Sequence, residues 1–479
     1  MPKLVRDRVR TTLFRMAFPM LAGTFAMNAY HLTDTWFISR LGTLPLAAMG
    51  FTLPVVMLLR FITGGLGTGI TVLVSHAIGR HEHDDAATVV THGIAFTIAV
   101  ALLIALGGYL TIDLVFSRLG ADVNVRPLIR GYMRIWYLGA AVMALPMIGN
   151  GILISAGDSR TAARFIMLGT GLNLVFDPIL IFGWFGLPPL GLSGAALATV
   201  AAQAIATAWL FHLLYRKHRL LRPTDWALKR VGSTIVRILG FGVPSMLSMA
   251  LMPISAAVIV RLLGSFGNAA VAAAGAAQRL EMLAFVVPMA LGMSLTPFVS
   301  QNFGAGRLDR IREAMRIAFR FALFYGGGIA AIFFLSAPWL ARIFSTDPKV
   351  TEIMVTYIRI ISFGYGMMEV HRYCGFCLTG RHKPFSTTLL NAIRILVLLI
   401  PLSCLGAALF GVQGVFGARL LTDMTAGIIG LVWVRRTCFP APPEPAAPAN
   451  GFSAAGTSAL SHEQGPLAES TAGGPCSGL

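Results

Sequence analysis

LGTGITVLVSHAIG at residues 66–79 is written again as LGMSLTPFVSQNFG at residues 291–304. At a constant offset of 225, Leu66, Gly67, Val74, Ser75 and Gly79 return as Leu291, Gly292, Val299, Ser300 and Gly304. The register runs on in both directions. Gly42, Ala47, Ala48 and Gly50 return as Gly267, Ala272, Ala273 and Gly275, and Tyr132, Arg134, Ile135, Gly139 and Met143 return as Tyr357, Arg359, Ile360, Gly364 and Met368. GLSG at 191–194 meets GVQG at 411–414, with the offset reduced to 220. A unit this long is no solenoid repeat. It is half a protein, and in an apolar chain it implies a transporter made of two repeated bundles with a site between them.

The chain is apolar throughout: 56% of its 479 residues are hydrophobic and 12% are charged, against about 25% charged in soluble domains. Apolar stretches long enough to cross a bilayer recur along almost its whole length, without the short alternating segments of a barrel. The expected fold is an all-α membrane protein with twelve transmembrane helices in two pseudo-symmetric six-helix lobes. The spans fall near 14–38, 46–78, 87–109, 132–156, 165–186, 193–214, 238–263, 269–300, 321–341, 352–378, 385–408 and 413–434. Residues 1–228 make the N-lobe with its inner linker, and 229–437 the C-lobe. Residues 438–479 hold no Lys or Arg and are rich in Pro, Ala, Gly and Ser, a composition expected to form a disordered cytoplasmic tail.

A net charge of +18 raises the question of nucleic acid, but the distribution of charge answers it. With the N-terminus inside, the inner segments hold 24 of the 38 Lys and Arg residues. That bias places both termini in the cytoplasm of a multi-pass protein of the cell inner membrane. RKHRLLRPTDWALKR at 216–230 is then the inner loop joining the lobes. The basic, then apolar, N-terminus runs on past any cleavage point, so it reads as span one and is retained.

Ionisable groups inside spans are functional candidates because burying them in hydrocarbon is costly. Span one contains Tyr30, His31 and Asp34, and span five contains Asn173 and Asp177. Both spans run outward, so the two acids lie at similar depth, beyond the midplane. Asn173 and Asp177 are four apart and share a helix face. The bland alternatives are that Asp34 caps a loop and that Asp177 opens a turn before Pro178. The second half lacks this pair. Span seven holds no acid, and span eleven has Asn391 and Arg394 in roughly the matching places. Its acids are Glu281, Glu369 and Asp423, for which internal pairing and substrate contact are equally good readings. Arg60 in span two is a candidate partner for an acid on a neighbouring helix. Pro19 in span one, Pro146 in span four, and Pro244 and Pro253 in span seven can each kink a helix. Gly65 and Gly69 permit close helix packing.

Other signals carry less. Cys374-Gly375-Phe376-Cys377 has redox spacing but lies in an apolar helix, where thiols are inert. His81 and His83 sit with Asp84 and Asp85 in a short inner loop. No P-loop, HExxH or GxSxG motif is present, so ATP hydrolysis through that loop and those enzyme classes have no support. Neither a cofactor nor a metal is expected.

DTWFISRLGTLPLAAMG, GTGITVLVSHAIGR, NLVFDPILIFGWFG and GLSGAALATVAAQ in the first half, with GNAAVAAAGAAQRLEML and VSQNFGAGRLDR in the second, resemble the multidrug and toxic compound extrusion (MATE) family over about residues 10–437. The resemblance implies twelve helices in two lobes around a central cavity, and export of organic, often cationic, compounds in exchange for protons or sodium ions. It matches Asp34 to the family's first-helix carboxylate, with Tyr30 one turn before it. It matches Asn173 and Asp177 to the fifth-helix polar pair, Thr199 to a polar position of the sixth helix, and Pro19 to a first-helix proline linked to coupling in DinF-like members. The span-seven acid of NorM-like members is missing, which favours the DinF-like branch. His76 stands where Gln is common in the family motif.

The expected function is a monomeric secondary antiporter that exports organic, cationic or amphipathic compounds by alternating access. The coupling ion is expected to be the proton. Two carboxylates in a shielded place cannot both ionise cheaply, and the Tyr30 phenol can hydrogen-bond a protonated carboxyl. Sodium is the alternative, because the same oxygens with Asn173 and Thr199 would suit a hard cation. A lipid-linked sugar flippase should line its cavity with basic residues, and a membrane-embedded transferase should carry polar residues in its outer loops. These loops are short and nearly devoid of acids and His.

Overall fold

A computed structural model describes residues 3–222 and 226–438. The expected disordered tail, from residue 439 onward, lies outside the described residues. Residue 438 does not: Cys438 ends the last helix.

Among the described residues, twelve membrane-length segments follow a short turn at Lys3–Arg6. The first six are Val9–Ser39, Thr43–Gly79, His83–Arg118, the bent pair Arg126–Leu138 and Ala140–Ser155, Ser159–Phe182, and Gly191–Lys217. The next four are Leu228–Gly264, the bent pair Asn268–Ala284 and Val286–Gly304, Leu308–Phe344, and Pro348–Gly380. The long segment Pro384–Cys438 is two spans, divided at Gly411, where φ is 61°. These are spans one to twelve below.

The repeat explains where the chain turns and bends. Gly42 and Gly267, the pair at offset 225, both have φ above 100° in the turns after spans one and seven. Gly191 and Gly411, the pair at offset 220, have φ of 55° and 61° at the starts of spans six and twelve. Only glycine adopts these values without steric cost. Span four breaks at Gly139, with a bend of 57°, and span ten is interrupted at its repeat partner Gly364. The symmetry fails at span eight, which bends by 56° at Phe285, whereas the matching stretch of span two is continuous. The prolines disturb less than the sequence suggests, because spans one and seven run unbroken through Pro19, Pro244 and Pro253.

Packing is also pseudo-symmetric. Span one lies on span five as span seven lies on span eleven, and span two lies on span four as span eight lies on span ten. The halves meet through spans one and eight, two and seven, and two and eight. At the end carrying both termini, one apolar core runs through both halves, including Leu13, Leu73, Ile148, Leu295 and Phe298. At the opposite end each half has its own core, around Ile129 in the first and Met354 in the second. The protein is therefore joined at its terminal end and divided at the other.

The join is tight because its repeat glycines have no side chain. A Cβ on Gly79 would lie 2.2 Å from the Gln301 carbonyl oxygen, and one on Gly304 would lie 2.4 Å from that of His76. Ser300 Oγ donates to the Val72 carbonyl at 2.8 Å, and Gln301 Nε2 donates to the Ser155 carbonyl. Arg310 Nη2 donates to the Leu4 and Asp7 carbonyls at 3.1 and 2.6 Å, which clasps the N-terminal turn under the second half. The rings of His76 and His382 lie 4.2 Å apart across the join. Gly79→Ala is expected to cost this conformation about 1–3 kcal/mol by overpacking, enough to shift its population about fivefold or more. Spin-label distances between positions 72 and 300 should lengthen in the variant. An unchanged distance would show that the join tolerates the methyl group.

Candidate coupling and substrate site

Span one packs on span five and span five on span six, which sets the depth at which their polar residues meet. Asp34 lies inside helix Val9–Ser39, and Asp177 lies inside helix Ser159–Phe182, which continues through Pro178 and ends at Gly183 with φ of 76°. Neither acid caps a loop or opens a turn. Asp177 and Asn173 are each 1% exposed and Asp34 is 8% exposed. The Asn173 amide is oriented so that its nitrogen donates to Asp177 Oδ2 at 3.0 Å, while its oxygen accepts from Thr199 N–H and Oγ1 at 3.1 Å each. Tyr30 shares a hydrogen bond with the Thr199 side chain. Asp34 and Asp177 are close enough for their charges to act on one another, and both act on Tyr30 and Tyr132. Asp177 Oδ1 is buried without a hydrogen-bond partner among the described residues. Neither acid forms an ion pair with any described residue.

The second half is built the opposite way: each of its buried acids has an arginine. Glu281 Oε2 accepts from Arg419 Nη2 at 2.7 Å, and Glu281 Oε1 accepts from the Tyr357 and Tyr365 hydroxyls at 3.0 and 3.3 Å. Asp423, fully buried, accepts at Oδ1 from Arg394 Nε and Nη2 at 3.1 and 2.6 Å. Glu369 lies 3.0 Å from Arg372, one helical turn on, with neither of its oxygens hydrogen-bonded among the described residues. Of the two readings for these acids, the geometry is that of internal pairing. Arg60 does not partner an acid among the described residues; it is exposed, beside Tyr132.

Tyr132, Tyr357, Tyr365 and Arg419 were not singled out as site residues in the sequence. The repeat held one usable signal, since Tyr132 and Tyr357 are partners at offset 225. One stands by the unpaired acids and the other by Glu281. Arg419 precedes Asp423 by four residues, a helical neighbour, and its Nε is 3.9 Å from Asp423 Oδ2.

Comparison with known proteins gives one consistent picture. The family description MatE matches residues 19–179 and 244–405. The FAD transporter of Shewanella oneidensis is 35% identical over 438 residues, covering 91% of this chain and 97% of that protein. The probable multidrug resistance protein YoeA of Bacillus subtilis is 27% identical over 353 residues, covering 72% and 76%. Among solved structures, that of the Vibrio cholerae MATE transporter VcmN in the bent form superposes with a TM-score of 0.85 at 30% identity, over 90% of this chain and 97% of that one.

Proposed function

This chain belongs to the MATE family of membrane transporters, and from that premise we propose that it is a proton-coupled antiporter whose ion site is the Asp34–Asp177 pair. The supporting observation is the contrast between the halves. The first half buries two carboxylates with tyrosines, an asparagine and a threonine but no base, and the second half places an arginine within ion-pair distance of each buried acid. Charges buried close together without a counter-ion favour holding a proton, and such a proton can be released when the site opens to the other side. Tyr30 and Tyr132 supply hydroxyls beside the acids. Pro19 lies in the same helix as Asp34 and is the position at which span one would bend as the site changes access. Both lobes, 1–228 and 229–437, move as bodies about the join.

The exported compounds are organic and amphipathic, many of them cationic, and enter the divide between the lobes. One observation favours a second reading of the substrate. The 35% identical relative that this chain spans almost end to end is named for FAD, which would make the cargo an aromatic dinucleotide carrying a pyrophosphate. Neither the flippase nor the transferase reading is supported by the relatives above. The substrate readings separate in a host stripped of its own pumps. Lower accumulation of a cationic dye, reversed by a protonophore, supports multidrug export. Rising flavin in the medium with unchanged dye uptake supports the dinucleotide. No change in either contradicts export.

The protein spans the inner membrane as a monomer with both ends inside, so the joined end seen here faces the cytoplasm and the divided end faces out. A reporter fused after Arg436 is expected to be active only in a form that works in the cytosol. Activity of a periplasm-specific reporter there would invert the orientation and make the same acids face the wrong compartment.

A further inference from the structure

A cavity of about 760 Å³ opens at the joined end of the molecule, within the roughly 300–1,000 Å³ range of small-molecule sites. It is separate from the acid site. Its wall includes Arg15, 19 residues before Asp34 on the same helix, which is about 28 Å along the axis. Arg15, Arg160 and Lys217 line it, with His81, His83 and His218 beside them. The single carboxylate in the wall, Asp158, is occupied. It accepts from Lys217 Nζ at 2.5 Å and from Thr161, and His218 Nε2 is 3.5 Å away. The contact from His218, then the hydrogen bonds from Lys217 and Thr161, hold its carboxyl well below the usual range, so it stays ionised and already matched at neutral pH. Arg15 is paired with Asp7. Arg160 has no ion pair among the described residues.

Two further features point to a ligand. The first turn of span five, at Ser159 and Arg160, faces the cavity. Asp158 caps only the Thr161 amide there, leaving N–H groups that suit an anion. Gln301, from the other half of the protein, also lines the wall. It is 1% exposed, and its Oε1 is buried without a hydrogen-bond partner among the described residues. An orphaned buried acceptor is costly unless something donates to it.

We propose that this cavity binds a phosphate-bearing molecule of nucleotide size, with the anion on Arg160, Lys217 and the first turn of span five and a donor group of the ligand on Gln301 Oε1. Gln301 belongs to the second half and the rest of these residues to the first. The bound molecule therefore bridges the halves and stabilises the conformation in which they are joined. The phosphate is either free in solution or the headgroup of an anionic lipid.

The test uses the full chain in detergent and in nanodiscs, with ADP and inorganic pyrophosphate as probes, and reads both equilibrium binding and unfolding temperature. Saturable ADP binding that raises the unfolding temperature is expected, with Arg160→Glu weakening it at least about tenfold and Lys217→Gln less. Arg436→Glu, a basic residue at the same end outside the cavity, should leave it unchanged. A lipid source would show as stabilisation by phosphatidylglycerol over phosphatidylcholine nanodiscs that Arg160→Glu removes, without ADP binding. Equal losses in Arg160→Glu and Arg436→Glu, or no response to any of the three phosphates, would overturn the proposal.

Discussion

Asp34→Asn and Asp177→Asn are each expected to abolish proton-driven export while leaving the protein folded. Both acids are almost fully buried, and neither is held by a base. Replacing either with its amide keeps the shape, removes the group that carries the proton, and relieves the repulsion between the two. Neither change strands a buried partner charge, which is the costly outcome when one member of an ion pair is removed, so the variants should insert and unfold like the wild type. The new amide oxygen at position 177 would still accept from the Asn173 amide, and the Asn173–Thr199 bonds would survive. Loss of transport with unchanged unfolding temperature is the signature of a coupling role. Loss of transport together with loss of folded protein would instead mark the pair as structural, and retained transport would remove it from the mechanism.

The second large effect is on stability. Arg394→Met takes away both hydrogen bonds to Asp423 Oδ1 and leaves a fully buried carboxylate facing only the Arg419 Nε, 3.9 Å away. Breaking a buried pair from one side costs about 3–5 kcal/mol, whereas replacing both partners with apolar groups is often neutral. Arg394→Met alone should therefore sharply lower the unfolding temperature, and Arg394→Met with Asp423→Leu should recover most of the loss. Thermal unfolding in one detergent checks this. A double variant no better than the single one would show that the pair does more than neutralise itself. If the double variant also transports, Asp423 is structural.

The repeat carried most of the architecture. Gly42 with Gly267, and Gly191 with Gly411, are legible because glycine at fixed offsets marks backbone that only glycine adopts. The acid site was legible because span direction fixes depth. Asp34 and Asp177 could be set at one level by counting residues, and Asn173 could be set on the face of Asp177 by helical spacing. Depth is not rotation, however. Nothing in the order of residues says that Glu281 turns toward Arg419, 138 positions away. That depends on how spans eight and twelve are rotated about their axes, and on a bend at Phe285 that has no counterpart in span two. The clasp of Arg310 on the Leu4 and Asp7 carbonyls was equally hidden. Backbone acceptors look alike in every sequence, and the partners lie 306 and 303 positions away. Pro19 is legible as a residue that permits a bend, but the order of residues does not say in which state the helix bends, and here it runs on through Pro19.

The central claim is that protons on the Asp34–Asp177 pair drive export, and flux in reconstituted vesicles tests it most directly. With sodium absent, an imposed inward proton gradient should drive the exported compound outward in vesicles containing the wild type and in none containing Asp34→Asn. Flux that ignores the pH gradient and appears only when a sodium gradient is supplied would contradict it, and would make the same oxygens of Asp34, Asp177, Asn173 and Thr199 a cation cage.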